Sequence, residues 1–179
     1  MRALLAWVLL GVVLAADDAW GARLTFSAPT VRIGDFADEG NPYRASLGLG
    51  HWLRSDLSAW ADAVASYIDV NDFIGAAGGT AYALGVDLSL RWTRGWRDRV
   101  ALYLEGGAGA QNSFPISFVA SGTHFNFTVL AGAGLEGPSL AGWTPSAGLR
   151  YLHLSNANLL PHNHGYDGVS ALVGVQRRW

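Results

Sequence analysis

Residues 80–93, TAYALGVDLSLRWT, alternate without a break. Tyr82, Leu84, Val86, Leu88, Leu90 and Trp92 fall on one face of an extended chain, and Ala83, Gly85, Asp87, Ser89 and Arg91 on the other. A period of two is the signature of a strand, because a helix would scatter these residues around its axis. From Tyr82 to Trp92 such a strand runs about 33 Å, and a tilt of about 40° reduces its height to about 25 Å, the apolar band of an outer-membrane barrel. A soluble sheet would also tolerate the stripe, but aromatic residues at both of its ends match the two interfaces of a bilayer. Half of the residues are apolar and only 15% are charged, yet no internal run approaches the ~20 apolar residues of a spanning helix. The choice therefore narrows to a soluble β protein or a membrane barrel.

The same alternation recurs. YRASLGLGHWL sets Tyr43, Ala45, Leu47 and Leu49 against Arg44, Ser46, Gly48 and Gly50, and VALYLEGGAG sets Val100, Leu102 and Leu104 against Tyr103, Glu105 and Gly107. Gly, Asn, Asp and Pro clusters divide the chain into eight expected strands, near 23–34, 42–53, 59–70, 79–93, 98–111, 123–136, 142–155 and 166–179. The first and third alternate poorly. The fold expected is all-β, an eight-stranded antiparallel transmembrane barrel of outer-membrane type. Its glycine-rich polar face would line a narrow lumen in which Arg44, Asp87, Arg91, Glu105 and Arg150 pair, with no open pore. An even strand number brings both termini to one side, the periplasmic side for an exported barrel, and the closing strand ends on Trp179.

The N-terminal stretch MRALLAWVLLGVVLAADDAWGA has an early positive charge, an apolar run from Ala3 to Ala16 and small residues beyond. That layout is a secretory signal peptide over 1–22, cut after Ala15 or Gly21, leaving 23–179 as one barrel domain. A formal charge of −2 with scattered arginines offers no basic stripe for nucleic acid. With no cysteine, disulfides and thiol catalysis are excluded.

The chemistry concentrates in YLHLSNANLLPHNHGYDG, residues 151–168. On the seventh strand Ala147, Leu149 and Tyr151 form an apolar face that continues into His153 and Ser155. On the eighth, Asp167 shares its face with Val169, Ala171, Val173, Val175 and Trp179. If these faces meet lipid, all three polar groups look outward, and a hairpin symmetric about residue 160 sets 153 opposite 167, with Cβ atoms about 5 Å apart. Serine needs a base, imidazole serves as one near neutral pH, and a carboxylate can orient that imidazole and stabilise its charged form.

HLSNANL followed by HNHGYDG resembles the His-x-Ser-Asn signature of the lipid A 3-O-deacylases, the PagL-type outer-membrane esterases, and the upstream FNFTVLAGAGL and GLRYLH look like the same family's preceding hairpin. The resemblance is most specific over 123–179. It implies an eight-stranded barrel that hydrolyses the 3-O-linked acyl chain of lipid A, in the outer membrane and with the site facing the outer leaflet, without cofactor or metal. His153 is then the general base, Ser155 the nucleophile and Asp167 the orienting acid. Asn156 and Asn163 match asparagines associated with the active site, in oxyanion or substrate-positioning roles, and Phe127 matches a phenylalanine that would wall the acyl groove. Two positions depart from the family pattern. Asp167 stands where glutamate is more usual, so its shorter side chain must approach about one methylene closer. Asn158 stands where the family usually has glycine. The turn EGPSLAGWTP between strands six and seven is also longer than usual.

Rival readings attach to the remaining features. His162 and His164 have metal-like spacing but no evident third ligand, which favours a solvated loop. His51 is expected to pack at an interface, and His124 to lie near the groove. Trp52, Trp92 and Trp96 fall at strand ends, as a membrane belt requires. The partners expected are lipopolysaccharide, the outer membrane and, in a dimer, a second copy of the chain. The competing functions are a nonenzymatic structural or adhesion barrel, a phospholipase-like esterase, and a secreted soluble barrel with an apolar interior.

Overall fold

The computed structural model describes residues 19–33, 40–70, 79–97, 99–116, 123–159 and 165–179. They form a closed barrel of eight strands: β1 (Trp20–Arg32), β2 (Asn41–Arg54), β3 (Leu57–Val70), β4 (Gly79–Arg97), β5 (Val100–Phe114), β6 (Phe125–Glu136), β7 (Trp143–Ser155) and β8 (Tyr166–Arg178). Each strand pairs antiparallel with its sequence neighbours, and β8 closes on β1. Closure leaves no strand edge unpaired, the condition for crossing hydrocarbon with a sheet. Both strand termini lie at one end, and that end's connections are short. The segment expected as a signal peptide is outside the described residues up to position 18.

Apolar side chains face out and charged ones face in. Leu47, Leu49, Leu84, Val86 and Leu88 are exposed on the outer wall, while among the described residues four arginines (Arg23, Arg44, Arg91, Arg150) and four carboxylates (Asp62, Asp87, Glu105, Glu136) are buried. This polarity is the reverse of a soluble ligand-binding barrel. The expected lumenal pairing is present and larger than expected. Glu105 accepts from Arg23 at 2.6 Å, from Arg91 at 2.9 Å and from Arg150. Arg23 also donates to Asp62 at 2.8 Å, Arg91 to Glu136 at 3.2 Å, and Arg44 to Asp87 at 3.0 Å. Tyr103 and Trp60 complete the packing with their ring faces under Arg91 and Arg23, 4.2 and 4.6 Å from the guanidinium carbons.

The two strands with poor alternation have separate causes. β1 alternates cleanly from Arg23 to Ala28, then slips register between Pro29 and Val31, where proline lacks the ladder donor. It also starts earlier than expected, at Trp20. In β3 the pattern is inverted in size. Ala59, Ala61, Ala63 and Ala65 point outward, whereas Trp60, Val64, Ile68 and Val70 point into the lumen. There Ile68 and Val70 join Ala81, Ala83, Leu152, Leu154 and Tyr166 in an apolar plug at the barrel end away from the termini. β4 runs four residues beyond the expected stop, through a register shift between Gly95 and Arg97.

Aromatic rings mark the outer wall at both heights. At the end carrying the termini are Trp20, Trp143 and Trp179. At the other, Tyr43, Tyr67, Tyr82 and Phe114 face one another across successive strands, with centroids 6.1, 5.9 and 6.2 Å apart.

Candidate active site

The β7–β8 hairpin is symmetric about residue 160, as its pairs from Trp143 with Arg177 to Leu154 with Tyr166 require, and it sets His153 directly opposite Asp167. Ser155 is two residues beyond His153 and so lies on the same face, opposite Phe127 of β6. The intervening side chains point the other way. Leu152, Leu154 and Tyr166 are buried in the apolar plug, so the backbone that carries the polar groups is packed from within.

The three groups meet outside the barrel. His153 Nδ1 is 3.0 Å from Asp167 Oδ1, and His153 Nε2 is 3.0 Å from Ser155 Oγ. A carboxylate can only accept, so Nδ1 carries the proton and Nε2 presents its lone pair to the serine hydroxyl. The imidazole and carboxylate side chains are 34% and 36% exposed, open to a substrate in the surrounding medium but backed by the wall. That wall is apolar: Phe127 and Val129 of β6 are exposed beside Ser155 and His153, and Phe125 packs edge-on against Phe127 at 5.2 Å. The shorter acid therefore still reaches the imidazole.

A fourth side chain joins them that the alternation pattern did not single out. The Tyr151 hydroxyl donates to the same Asp167 Oδ1 that faces His153. Sequence reading placed Tyr151 on the apolar wall by parity. The signal that could have found it is the same hairpin symmetry, since residue 151 is opposite 169 and thus diagonal to 167, within reach of a long side chain.

Beyond Ser155 the chain turns. Asn156 is buried, and its side-chain oxygen accepts from the Asn158 N–H at 2.9 Å while its carbonyl accepts from Leu159 N–H at 3.1 Å. Ala157 and Asn158 take φ of 55° and 59°. That left-handed conformation is glycine's natural ground and asparagine's second choice, so Asn158 suits the turn. Asn163, His162 and His164 lie outside the described residues. His124 is not part of the triad, its Nδ1 lying 2.8 Å from the Ser113 carbonyl oxygen. His51 is buried at the opposite end against the Trp20 ring, with centroids 4.9 Å apart.

Comparison with known proteins adds an independent line. A family model described as Lipid A 3-O-deacylase (PagL) matches residues 39–176. Comparison with curated protein sequences found no match. The fold is similar to the crystal structure of the outer membrane enzyme PagL, at 22% identity and a TM-score of 0.64, covering 85% of this chain and 97% of that one. It is also similar to Neisserial surface protein A, at 11% identity and a TM-score of 0.61, covering 91% and 98%. A third likeness is to the outer membrane protein OprG from Pseudomonas aeruginosa, at 12% identity and a TM-score of 0.54, covering 90% and 96%. At these identities the structures speak for the barrel, and the family model speaks for the lineage. This eight-stranded outer-membrane barrel belongs to the lipid A 3-O-deacylase (PagL) family.

Proposed function

We propose that the chain is an outer-membrane esterase that hydrolyses the 3-O-linked acyl chain of lipid A through Ser155, His153 and Asp167. The observation that carries this reading is one imidazole bridged at 3.0 Å on each nitrogen, to a serine on one side and a carboxylate on the other, on an apolar exterior wall. With the termini periplasmic, β7 rises toward the cell surface and the site faces the outer leaflet, where lipid A resides. Substrate arrives by lateral diffusion, with its acyl chains along the wall beside Phe127 and Val129.

His153 Nε2 takes the proton as Ser155 Oγ attacks the ester carbonyl. Backbone N–H groups of the turn that follows Ser155 meet the tetrahedral oxyanion, and the buried Asn156 side chain holds that turn through the Asn158 N–H. Collapse breaks the bond to the sugar oxygen, which leaves as the 3-hydroxyl with the proton held on Nε2, and the acyl group remains on Ser155. Water then attacks the acyl-enzyme as Nε2 accepts its proton, and the fatty acid departs as that proton returns to Oγ. Asp167 holds the Nδ1–H tautomer throughout and stabilises the transient imidazolium.

The test is mass spectrometry of lipid A from cells producing the wild type or Ser155→Ala. The expected result is loss of one 3-hydroxyacyl mass with the wild type alone. Identical spectra from folded, surface-located proteins would overturn the reading in favour of a nonenzymatic barrel. Fatty acid release from phospholipid with intact lipid A would replace it with a phospholipase.

A further inference from the structure

Resting on the Ser155–His153–Asp167 reading, we propose that Tyr151 is a positioning residue of this site, its hydroxyl clamping the Asp167 carboxylate against the imidazole. Asp167 hangs from the outer wall with 36% of its side chain exposed. One hydrogen bond from an imidazole that must itself gain and lose a proton is a weak restraint on a side chain with two free torsions. The phenol supplies a second, from a ring anchored on the neighbouring strand and directed at the same oxygen, Oδ1. Two donors converging on one oxygen define where that oxygen lies. They also share its negative charge, leaving Oδ2 toward the medium.

The chemistry allows only one direction for this bond. A phenol hydroxyl beside an ionised carboxylate donates, so Tyr151 cannot take the serine proton and acts through Asp167 alone. Its placement is also unlike the other outward tyrosines. Tyr43, Tyr67 and Tyr82 lie ring against ring in the aromatic row, whereas Tyr151 carries its hydroxyl diagonally across the hairpin to a group already bonded to His153. An interfacial anchor would need only contact with headgroups.

Tyr151→Phe keeps the ring and removes the donor. The purified, detergent-solubilised protein is assayed on lipid A and, separately, for the rate at which a fluorophosphonate labels Ser155, with folding checked by heat-dependent gel migration. The expected result is a fall of about tenfold in kcat and in labelling rate with KM unchanged, the effect of one charge-assisted hydrogen bond. In an Asp167→Asn background the same change should cost less than about twofold, because the clamped group is gone. A Tyr151→Phe enzyme within about twofold of wild type overturns the inference, as does an equal loss in both backgrounds, which would assign the tyrosine to packing or substrate contact. If the wild type labels with this dependence but leaves lipid A intact, the clamp stands and the substrate reading falls. If wild-type Ser155 does not label at all, both fall.

Discussion

Replacing Glu105 by glutamine removes one negative charge from a lumen in which the described buried residues carry four arginines and four carboxylates. The shape is nearly conserved, so the perturbation is electrostatic. Three guanidiniums converge on this carboxylate, from Arg23, Arg91 and Arg150. Arg23 retains Asp62 and Arg91 retains Glu136, so the main loss falls on Arg150. Removing one partner of a buried ion pair costs about 3–5 kcal/mol, because the remaining charge stays desolvated. That range is the expected loss of stability for Glu105→Gln, and added salt should not recover it, since the pair is out of reach of mobile ions. The measurement is urea unfolding in phospholipid vesicles, followed by tryptophan fluorescence and by heat-dependent gel migration. A second variant separates charge from packing: Glu105→Gln with Arg150→Gln restores the balance and should recover at least half of the loss. A single variant within about 1 kcal/mol of wild type, or a double variant that loses the sum of its parts, would refute the view that charge balance holds the barrel interior.

Asp167→Asn should lower turnover by about 10²–10⁴-fold, the usual contribution of acid–base machinery. It should shift the unfolding midpoint little, because its hydrogen bond to His153 is one-third exposed and worth about 1 kcal/mol; a kinetic assay beside the same unfolding measurement checks both. Asn158→Gly should keep stability and activity, whereas Asn158→Val, forcing a β-branched residue to φ of 59°, should cost about 1–2 kcal/mol. Gly50→Ala would put a methyl 2.5 Å from Trp60 Cε3, displacing the indole that lies over Arg23. Urea titration should show a loss of about 1–3 kcal/mol with a change in tryptophan emission.

Much of the site was legible in the sequence because its geometry is local. His153 and Ser155 are two residues apart, and His153 and Asp167 fourteen. One strand period and one hairpin symmetry are enough to place all three on a common face. The same local logic located eight strands from alternation and turn residues. It weakened where the local signal was inverted or broken: in β3, whose alanines face outward and whose large residues face inward, and at the register slip of β1 after Pro29. Parity put Tyr151 on the correct outer face but did not reveal its bond to Asp167. It assigns a residue to a face but is silent about a hydroxyl that reaches sideways to the next strand.

The lumen is another matter. Parity alone put Arg44, Asp87, Arg91, Glu105 and Arg150 inside, but it left out Arg23 and Asp62 and could not say who meets whom. Arg23 and Glu105 are 82 residues apart, and Arg150 and Glu105 45. Such contacts span the barrel, so they depend on closure and on the stagger accumulated around all eight strands. By itself the sequence determined the strands, the two faces and the outward triad, since each follows from a period of two and a single turn. Only the tertiary structure decided which charges neutralise one another inside and which apolar side chains plug the barrel behind the site, because those distances exist only once the sheet has closed on itself.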